Sequence, residues 1–572
     1  MAAIPTIFRV PSLLALTLLL VACDPGGPPA DSVDPAEASG AEAAAAASDP
    51  AGQLADTPLS ILDPEPLHEY ISVLASDEFE GRAPATRGEE LTLDYLTEHF
   101  DGLGLEVRLQ PVPLVSITAD PEMELRITGA DGTETLAYRD DMMGWTTRVV
   151  DEVTVEGSEL VFVGYGVVAP EYGWNDYEGL DVEGRTVVML INDPGFATQD
   201  PELFNGRSMT LYGRWTYKFE EAARQGAAAA IIVHETEPAA YGWDVVAGSW
   251  SGPQFGLVTE DLNLSRLAFE SWITEDAARA TFARAGEDFS ALREAARSPD
   301  FRPVPLGDLR ADVTVRNTLE ESETHNVVAT LQGRERPDEY VIYTAHWDHL
   351  GTDGDEIYNG AVDNASGTAA VMRLAEAFAA RDEAPERSVV FLPVGAEEQG
   401  LLGSAHYAAN PVYPLARTVA VINIDGPNYI GPTRDIQVVG YGNSELDDYL
   451  KAAAERRDRV VEPEDRPEAG FFYRSDHFSF ARQGVPALYT KMGADMFEGG
   501  VDRGRALAAE YTAERYHAPA DEYDPAMDLR GLAMDLELLF EVGLALADSD
   551  DWPNWAEGNE FRAARDAQRG GG

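Results

Sequence analysis

The sequence predicts an α/β protein: a mixed, partly parallel sheet flanked by helices, interrupted by a second, β-rich unit. Three patterns carry that expectation. From Asn326 onward, short apolar runs with strand character alternate with helical spacing, which argues for a sheet with parallel portions. Residues 105–191 break instead into short β-rich runs. Helical spacing before that stretch then belongs with the later half, because an inserted unit leaves its host's chain on both sides.

Taken in order, Leu67, Tyr70, Ile71 and Leu74, then Leu91, Tyr95, Leu96 and Phe100, recur at helical spacing and predict two helices between Glu65 and Gly104. The segment Glu80-Gly-Arg-Ala-Pro84 joins them. Glu159–Val168 and Thr186–Ile191 read as strands, Tyr217–Gln225 as a helix, and Ala227–Val233 as an apolar strand. After His325 come candidate strands Asn326–Leu331 and Glu339–Ala345, a helix over Gly367–Ala380, and strands Ser388–Val394 and Thr418–Ile424. The expected division is 59–112 as the N-terminal helical part of the main domain, 113–310 as the insertion, 311–550 as the main domain and 551–572 as a tail.

Length and composition allow this: 572 residues, 44% of them hydrophobic, can build at least two packed cores. The net charge of -59, with lysine only at 218, 451 and 491, repels a phosphate backbone and argues against nucleic acid as a partner. Arg9 followed by the apolar run Ser12–Cys23 has the pattern of a signal peptide over residues 1–22. Leu20-Val-Ala-Cys23 resembles the bacterial lipobox, and Cys23 is the only cysteine, so lipidation is expected there and an intrachain disulfide is impossible. Residues 23–58, rich in Ala, Gly and Pro, read as a flexible tether. The expectation is an exported lipoprotein, on the periplasmic or cell-surface side, touching the membrane only through its lipid.

Polar residues gather where predicted strands end: His346 and Asp348, Glu397 and Glu398, then Asp425. Open α/β sheets bind ligands at those carboxyl ends. Asp363 sits in the small-residue turn Asn359–Gly367, which lets its carboxylate reach the same rim. Zinc takes imidazole nitrogen and carboxylate oxygen, and His346, Asp363, Glu398, Asp425 and His517 offer that chemistry. Each alone reads equally well as a turn former, a helix cap or part of a solvated face.

Together they resemble peptidase family M28. Ala345-His-Trp-Asp-His-Leu-Gly351, Gly360-Ala-Val-Asp-Asn-Ala-Ser-Gly367, Gly395-Ala-Glu-Glu-Gln-Gly-Leu-Leu-Gly-Ser404, Asn423-Ile-Asp-Gly426 and Tyr516-His-Ala-Pro-Ala-Asp521 look like that family's successive motifs. The resemblance implies two zinc ions bridged by Asp363, one completed by His346 and Asp425, the other by Glu398 and His517. It implies Glu397 as the general base, Asp348 as the carboxylate that orients His346, and a cis peptide bond at Asp363-Asn364. His349 is expected to be a structural neighbour outside the ligand set, and His406 to lie on a helix.

Tyr473–Phe480 and Gly484–Ala487 resemble the family's substrate-side loop, which makes Asp476 and His477 candidates for substrate binding; a capped helix start at Ser475 is the alternative. Gly164-Tyr-Gly166, Asp176–Gly184 and Lys218–Ala227 resemble the protease-associated domain inserted in many such peptidases. The function implied is hydrolysis of N-terminal residues from peptides. Relatives on the same fold leave carboxypeptidase and glutaminyl cyclase open, and a non-catalytic peptide-binding lipoprotein is the reading from a different class.

Overall fold

The first two helices are α1 (Glu65–Leu74) and α2 (Arg87–Gly102), and they hold their place through one apolar stripe each. Leu67, Ile71 and Leu74 on α1, and Leu96 and Phe100 on α2, are all buried in the core they share with the main sheet. Thr86 caps α2, its hydroxyl accepting from the Gly88 amide at 3.1 Å. The computed structural model describes residues 63–570, so the expected signal peptide, Cys23 and tether lie outside the described residues.

Between the helices the chain turns through Asp77–Arg82, and Arg82 points inward, fully buried. Its guanidinium donates to the carbonyls of Trp347 (2.9 Å), Leu74 (2.6 Å), Asn359 (2.6 Å) and Gly360 (2.9 Å). The N-terminal segment therefore ties together the two loops that carry His346 and Asp363. Burial pulls the guanidinium pKa down to about 10, with Asp348 the first of the acids opposing that shift, so it stays charged at neutral pH. Arg82→Met should leave four carbonyls unsatisfied and lower stability by about 3 kcal/mol, read as a lower urea midpoint. An unchanged midpoint would mean the four bonds are replaceable by water.

The strands of the main half are β1 (Arg336–His346), β2 (Arg387–Val394), β3 (Thr418–Ile424) and β4 (Ala487–Met492). β1 lies between β2 and β3, β3 also pairs with β4, and all these pairings are parallel. A strand pair formed by Asp435–Val438 and Val460–Pro463 closes this edge, the first antiparallel to β4. Helix α3 (Ser366–Ala379) and helix α4 (Arg530–Ala547) cover the sheet, and both contribute to the same apolar cluster as Val341, Tyr343, Phe391 and Ile422. β2 and β3 are buried along their whole length and β1 from Tyr340 to His346, which is why they read as continuous apolar runs rather than alternating ones.

The intervening unit has its own parallel strands, Glu152–Phe162, Thr186–Leu190, Ala229–His234 and Phe269–Thr274, around separate apolar clusters. Two of the expected boundaries need correcting. Glu106–Ala119 is one strand, and Val304–Leu331 is one 28-residue strand, and the two pair antiparallel from Glu106/Thr330 to Ala119/Asn317. Positions 113 and 310 thus fall inside continuous strands, and the long strand runs from the intervening unit's strands into the main sheet, where it pairs with β2. The C-terminal segment is no tail either: Trp555 and Phe561 are buried, and buried Arg565 donates to the carbonyls of Thr418 and Val419 at the start of β3. Among the described residues no helix is long and apolar enough to cross a membrane.

Candidate metal centre

The parallel strands deliver their polar residues to one end of the sheet. His346 is the last residue of β1, Glu397 and Glu398 follow β2, and Asp425 follows β3. After β2 the chain reverses sharply, with Ala396 in the left-handed region at φ 56° and the amides of Gly400 and Leu401 both donating to the Glu397 carbonyl at 2.8 Å. Asp363 precedes α3 in a turn that needs glycine on both sides. A Cβ at Gly360 would stand 2.2 Å from the Asp363 carbonyl oxygen, and one at Gly367 2.4 Å from that of Ile424. The Asp363-Asn364 peptide bond is cis, as the resemblance implied. His517 comes from a loop after the helix Gly500–Glu514, at φ 54°.

These side chains converge. His346 Nε2 is 3.3 Å from Asp363 Oδ1, 3.5 Å from Asp425 Oδ1 and 4.0 Å from Glu397 Oε2. His517 Nε2 is 3.2 Å from Asp363 Oδ2 and 3.0 Å from Glu398 Oε2. Three further contacts fix the donors. His349 Nδ1 meets the other Glu398 oxygen at 2.7 Å and so orients that carboxylate. Asp521 accepts from the amides of Val362 and Asp363, at 3.1 Å for the latter, and so holds the turn that presents Asp363. The Tyr489 hydroxyl reaches Asp425 Oδ2 at 3.4 Å.

Asp348 corrects an expectation. His346 Nδ1 meets the backbone carbonyl of Asp348 at 3.1 Å, while the nearer carboxylate oxygen lies 3.8 Å away. That carboxylate is taken by the amides of Glu397 (3.1 Å) and Glu398 (3.4 Å) instead. Asp348 thus positions the two glutamates with its side chain and His346 with its main chain.

The substrate-contact role expected for Asp476 and His477 finds no support in their placement, because both are fully buried. His477 packs edge-on to Phe472 and tilted against Tyr489, and neither of its ring nitrogens has a hydrogen-bond partner. Burial drives its pKa down to about 3 against the pull of Asp425. Above pH 6.5 both folded and unfolded His477 are neutral; between about 6.5 and 3 only the unfolded chain takes the proton. Stability must therefore fall as the pH drops through that window, by up to about 1.4 kcal/mol per unit. In metal-free protein, melting curves of His477→Phe and the parent should diverge below pH 6.5, the parent losing more; parallel curves would contradict this.

Electrostatics in the cluster favour a cation. Burial opposes the charge on His346, yet Glu397, Asp363 and Asp425 hold its pKa well above the ordinary value. Burial and Asp363 work against ionisation of Glu398, but His349 and His517 outweigh them and carry it down to about 2. Asp363 is likewise held well below the carboxylate range against its burial, chiefly by His346 and His517. Glu397 goes the other way: burial pushes it well up, and Glu398 and Asp425 add to that against the pull of His346. Four carboxylates facing two imidazoles leave excess negative charge in a poorly solvated place.

The donor spacing fits zinc. With bonds of about 2.0–2.1 Å and tetrahedral angles, two atoms on one zinc ion lie about 3.3 Å apart. The His346 and His517 contacts to Asp363, Asp425 and Glu398 run from 3.0 to 3.5 Å. His346 Nε2 is buried and makes no hydrogen bond despite three carboxylates around it, which suits a nitrogen kept for a metal. Grouping donors by mutual distance gives His346 with Glu397 and Asp425, and His346 with Asp363 and Glu398.

Comparison with known proteins finds similarity over parts of the chain. The chain is 37% identical over 135 residues to aminopeptidase NAALADL1 of Mus musculus, an alignment covering 22% of this chain and 17% of the relative. It is 30% identical over 214 residues to a probable zinc metalloprotease of Leptosphaeria maculans, covering 35% of this chain and 47% of that protein. The chain thus spans less than half the length of either relative. Among solved structures, an aminopeptidase from Aneurinibacillus sp. strain AM-1 aligns over 86% of this chain and 96% of its own, at 21% identity and a TM-score of 0.49. It is over residues 326–537 that the chain matches peptidase family M28, and His346, Asp363, Glu397, Glu398, Asp425 and His517 all fall inside that match.

Proposed function

We propose that the chain is a zinc-dependent peptidase that removes residues from the free N-terminus of peptides and holds two zinc ions. One ion would be held by His346, Asp363 and Asp425, the other by His517, Asp363 and Glu398. The observation that carries this reading is how Asp363 divides its oxygens: Oδ1 faces His346 at 3.3 Å and Oδ2 faces His517 at 3.2 Å. Zinc bound there supplies a Lewis acid for the scissile carbonyl and makes a water molecule more acidic.

The chain's own residues do the rest. Glu397 stands beside the ligands without being needed as one, and its raised proton affinity suits a base that takes a proton from the attacking water and passes it to the departing amine. Asp348, through the amides of Glu397 and Glu398, keeps base and ligand in fixed register. The family match over 326–537 and the aminopeptidase and zinc metalloprotease relatives support the same chemistry. We read the unit built on the strands Glu152–Phe162, Thr186–Leu190, Ala229–His234 and Phe269–Thr274 as a protease-associated-type insertion and the N-terminus as a lipoprotein leader. Cys23→Ser should then release the exported protein from the membrane fraction, and unchanged fractionation would reject the anchor.

Hydrolysis of unblocked and N-acetylated peptides by zinc-loaded protein tests the main reading. Cleavage of free N-termini alone is expected. Cleavage of blocked peptides would reject strict aminopeptidase action, conversion of N-terminal glutamine to pyroglutamate with loss of ammonia and no peptide-bond cleavage would point to a glutaminyl cyclase, and protein that is inert and takes up no zinc would favour a binding role.

A further inference from the structure

Beneath the metal cluster lies a buried polar layer that takes no part in the proposed reaction. It occupies the face of the sheet covered by the helices Leu402–Ala409 and His477–Ala481, where side chains recur at every second strand residue. Ile342, Val390 and Val421 form an apolar level there with Tyr407, Phe478 and Phe480. Two residues on, Thr344 pairs in register with Asn423, and two further on come His346 and Asp425. The middle level is polar on the helix side too. Asn423 Nδ2 donates to Ser475 Oγ at 2.7 Å, and the hydroxyls of Ser404 and Ser479 are 3.0 Å apart. Asp476 follows Ser475 at the helix start and shares a helix face with Ser479, three residues on. All of these middle-level residues are buried.

This level is short of donors. Neither oxygen of the Asp476 carboxylate has a hydrogen-bond partner, nor does Asn423 Oδ1. Asp476 does not cap its helix either. Elsewhere the chain serves its buried carboxylates. Asp176 accepts from the amides of Tyr165 and Val167 and from the Trp174 indole, and Asp521 from the amides of Val362 and Asp363 and the Tyr511 hydroxyl. Among the described residues no other carboxylate has both oxygens buried and without a hydrogen bond. The nearby hydroxyl hydrogens are already used: Ser404 donates to the Leu401 carbonyl at 3.1 Å and Thr344 to that of Leu392 at 2.8 Å, which leaves Ser479 to donate to Ser404. Burial pushes the Asp476 pKa up to about 6, with His346 and then the Ser404 hydroxyl pulling against it, so the group is largely ionised at pH 8. An unpaired charge so placed is costly, and a water molecule bonds to it without cancelling it.

We propose that a monovalent alkali cation, sodium or potassium, binds in this layer, held by Asp476, the amide oxygen of Asn423 and the hydroxyl oxygens of Ser404 and Ser479. One carboxylate among neutral oxygens balances a single positive charge, whereas calcium is drawn to sites with more carboxylates. The cation takes no imidazole and is separate from the zinc pair. It cancels a charge one level below His346 and Asp425, and it stands whether or not the cluster above turns over peptides.

Thermal unfolding of the full chain at pH 8, in sodium, potassium or tetramethylammonium chloride of equal ionic strength, tests this. The protein is equilibrated with zinc, so that the cluster above is not where the alkali cation goes. A cation that binds only the folded state raises Tm with its concentration, and tetramethylammonium is too large for a close-packed interior. The parent should melt at least about 2 °C higher in one of the alkali salts than in tetramethylammonium chloride, with an effect that saturates. Asp476→Asn should cut the difference below about 0.5 °C, and Ser404→Ala should raise the alkali concentration needed by about tenfold. Equal Tm in all three salts overturns the site, as does an alkali effect unchanged in Asp476→Asn, or in Ser404→Ala should the first variant not fold.

Discussion

Glu397→Gln is expected to lower kcat by about 10³-fold on a free N-terminal peptide while leaving bound zinc and thermal stability unchanged. The substitution keeps the side chain's shape, its position after β2, and the backbone amide that donates to Asp348. What it removes is the ability to take a proton in a place where burial and the neighbouring acids raise proton affinity. Glu397 lies 4.0 Å from His346 Nε2, farther than Asp363 or Asp425, so losing its charge should not empty the site. Steady-state kinetics alongside elemental analysis decides the matter. A variant that loses zinc as well as activity would make Glu397 a ligand, and one with near-normal kcat would leave the base unassigned.

Asp363→Ala should have the larger structural consequence. One carboxylate serves both imidazoles, so its removal takes a donor from each half of the cluster at once. Zinc should no longer bind at stoichiometric ratios, and kcat should fall by at least about 10³-fold. Asp521→Asn offers the graded comparison. It weakens the acceptor for the Val362 and Asp363 amides but keeps every ligand, and a loss of about 10- to 100-fold in zinc affinity is expected. If Asp363→Ala bound zinc as the parent does, the assignment of the centre would be wrong.

The residues that converge in the cluster were legible because each is tied to a local pattern. His346, Glu397, Glu398 and Asp425 follow apolar runs that become buried parallel strands, and Asp363 sits in a turn whose glycines leave no room for a Cβ. The contacts that hold those side chains were not legible, because they depend on parts of the chain that come together only in the fold. Arg82 is more than 260 residues from the carbonyls of Trp347, Asn359 and Gly360. Asp348 was seen, but whether its carbonyl or its carboxylate would meet His346 depends on a loop conformation that spacing does not encode.

The strand Val304–Leu331 was missed as a unit for a similar reason. Its middle, Glu320-Glu-Ser-Glu323, holds no apolar residue, yet it pairs across to Ser116, Val115, Leu114 and Pro113 on the neighbouring strand. Asp476 and His477 were legible only as a polar pair beside the predicted site, open to a substrate-binding role or to a helix start at Ser475; the fold turns both inward, His477 among aromatic rings.

Zinc titration of chelator-stripped protein, with the bound metal counted per chain, tests the central claim most directly. Two equivalents are predicted for the parent, with zinc uptake reduced by His346→Ala and by His517→Ala and abolished by Asp363→Ala. No stoichiometric uptake by the parent, or uptake indifferent to all three substitutions, would contradict it.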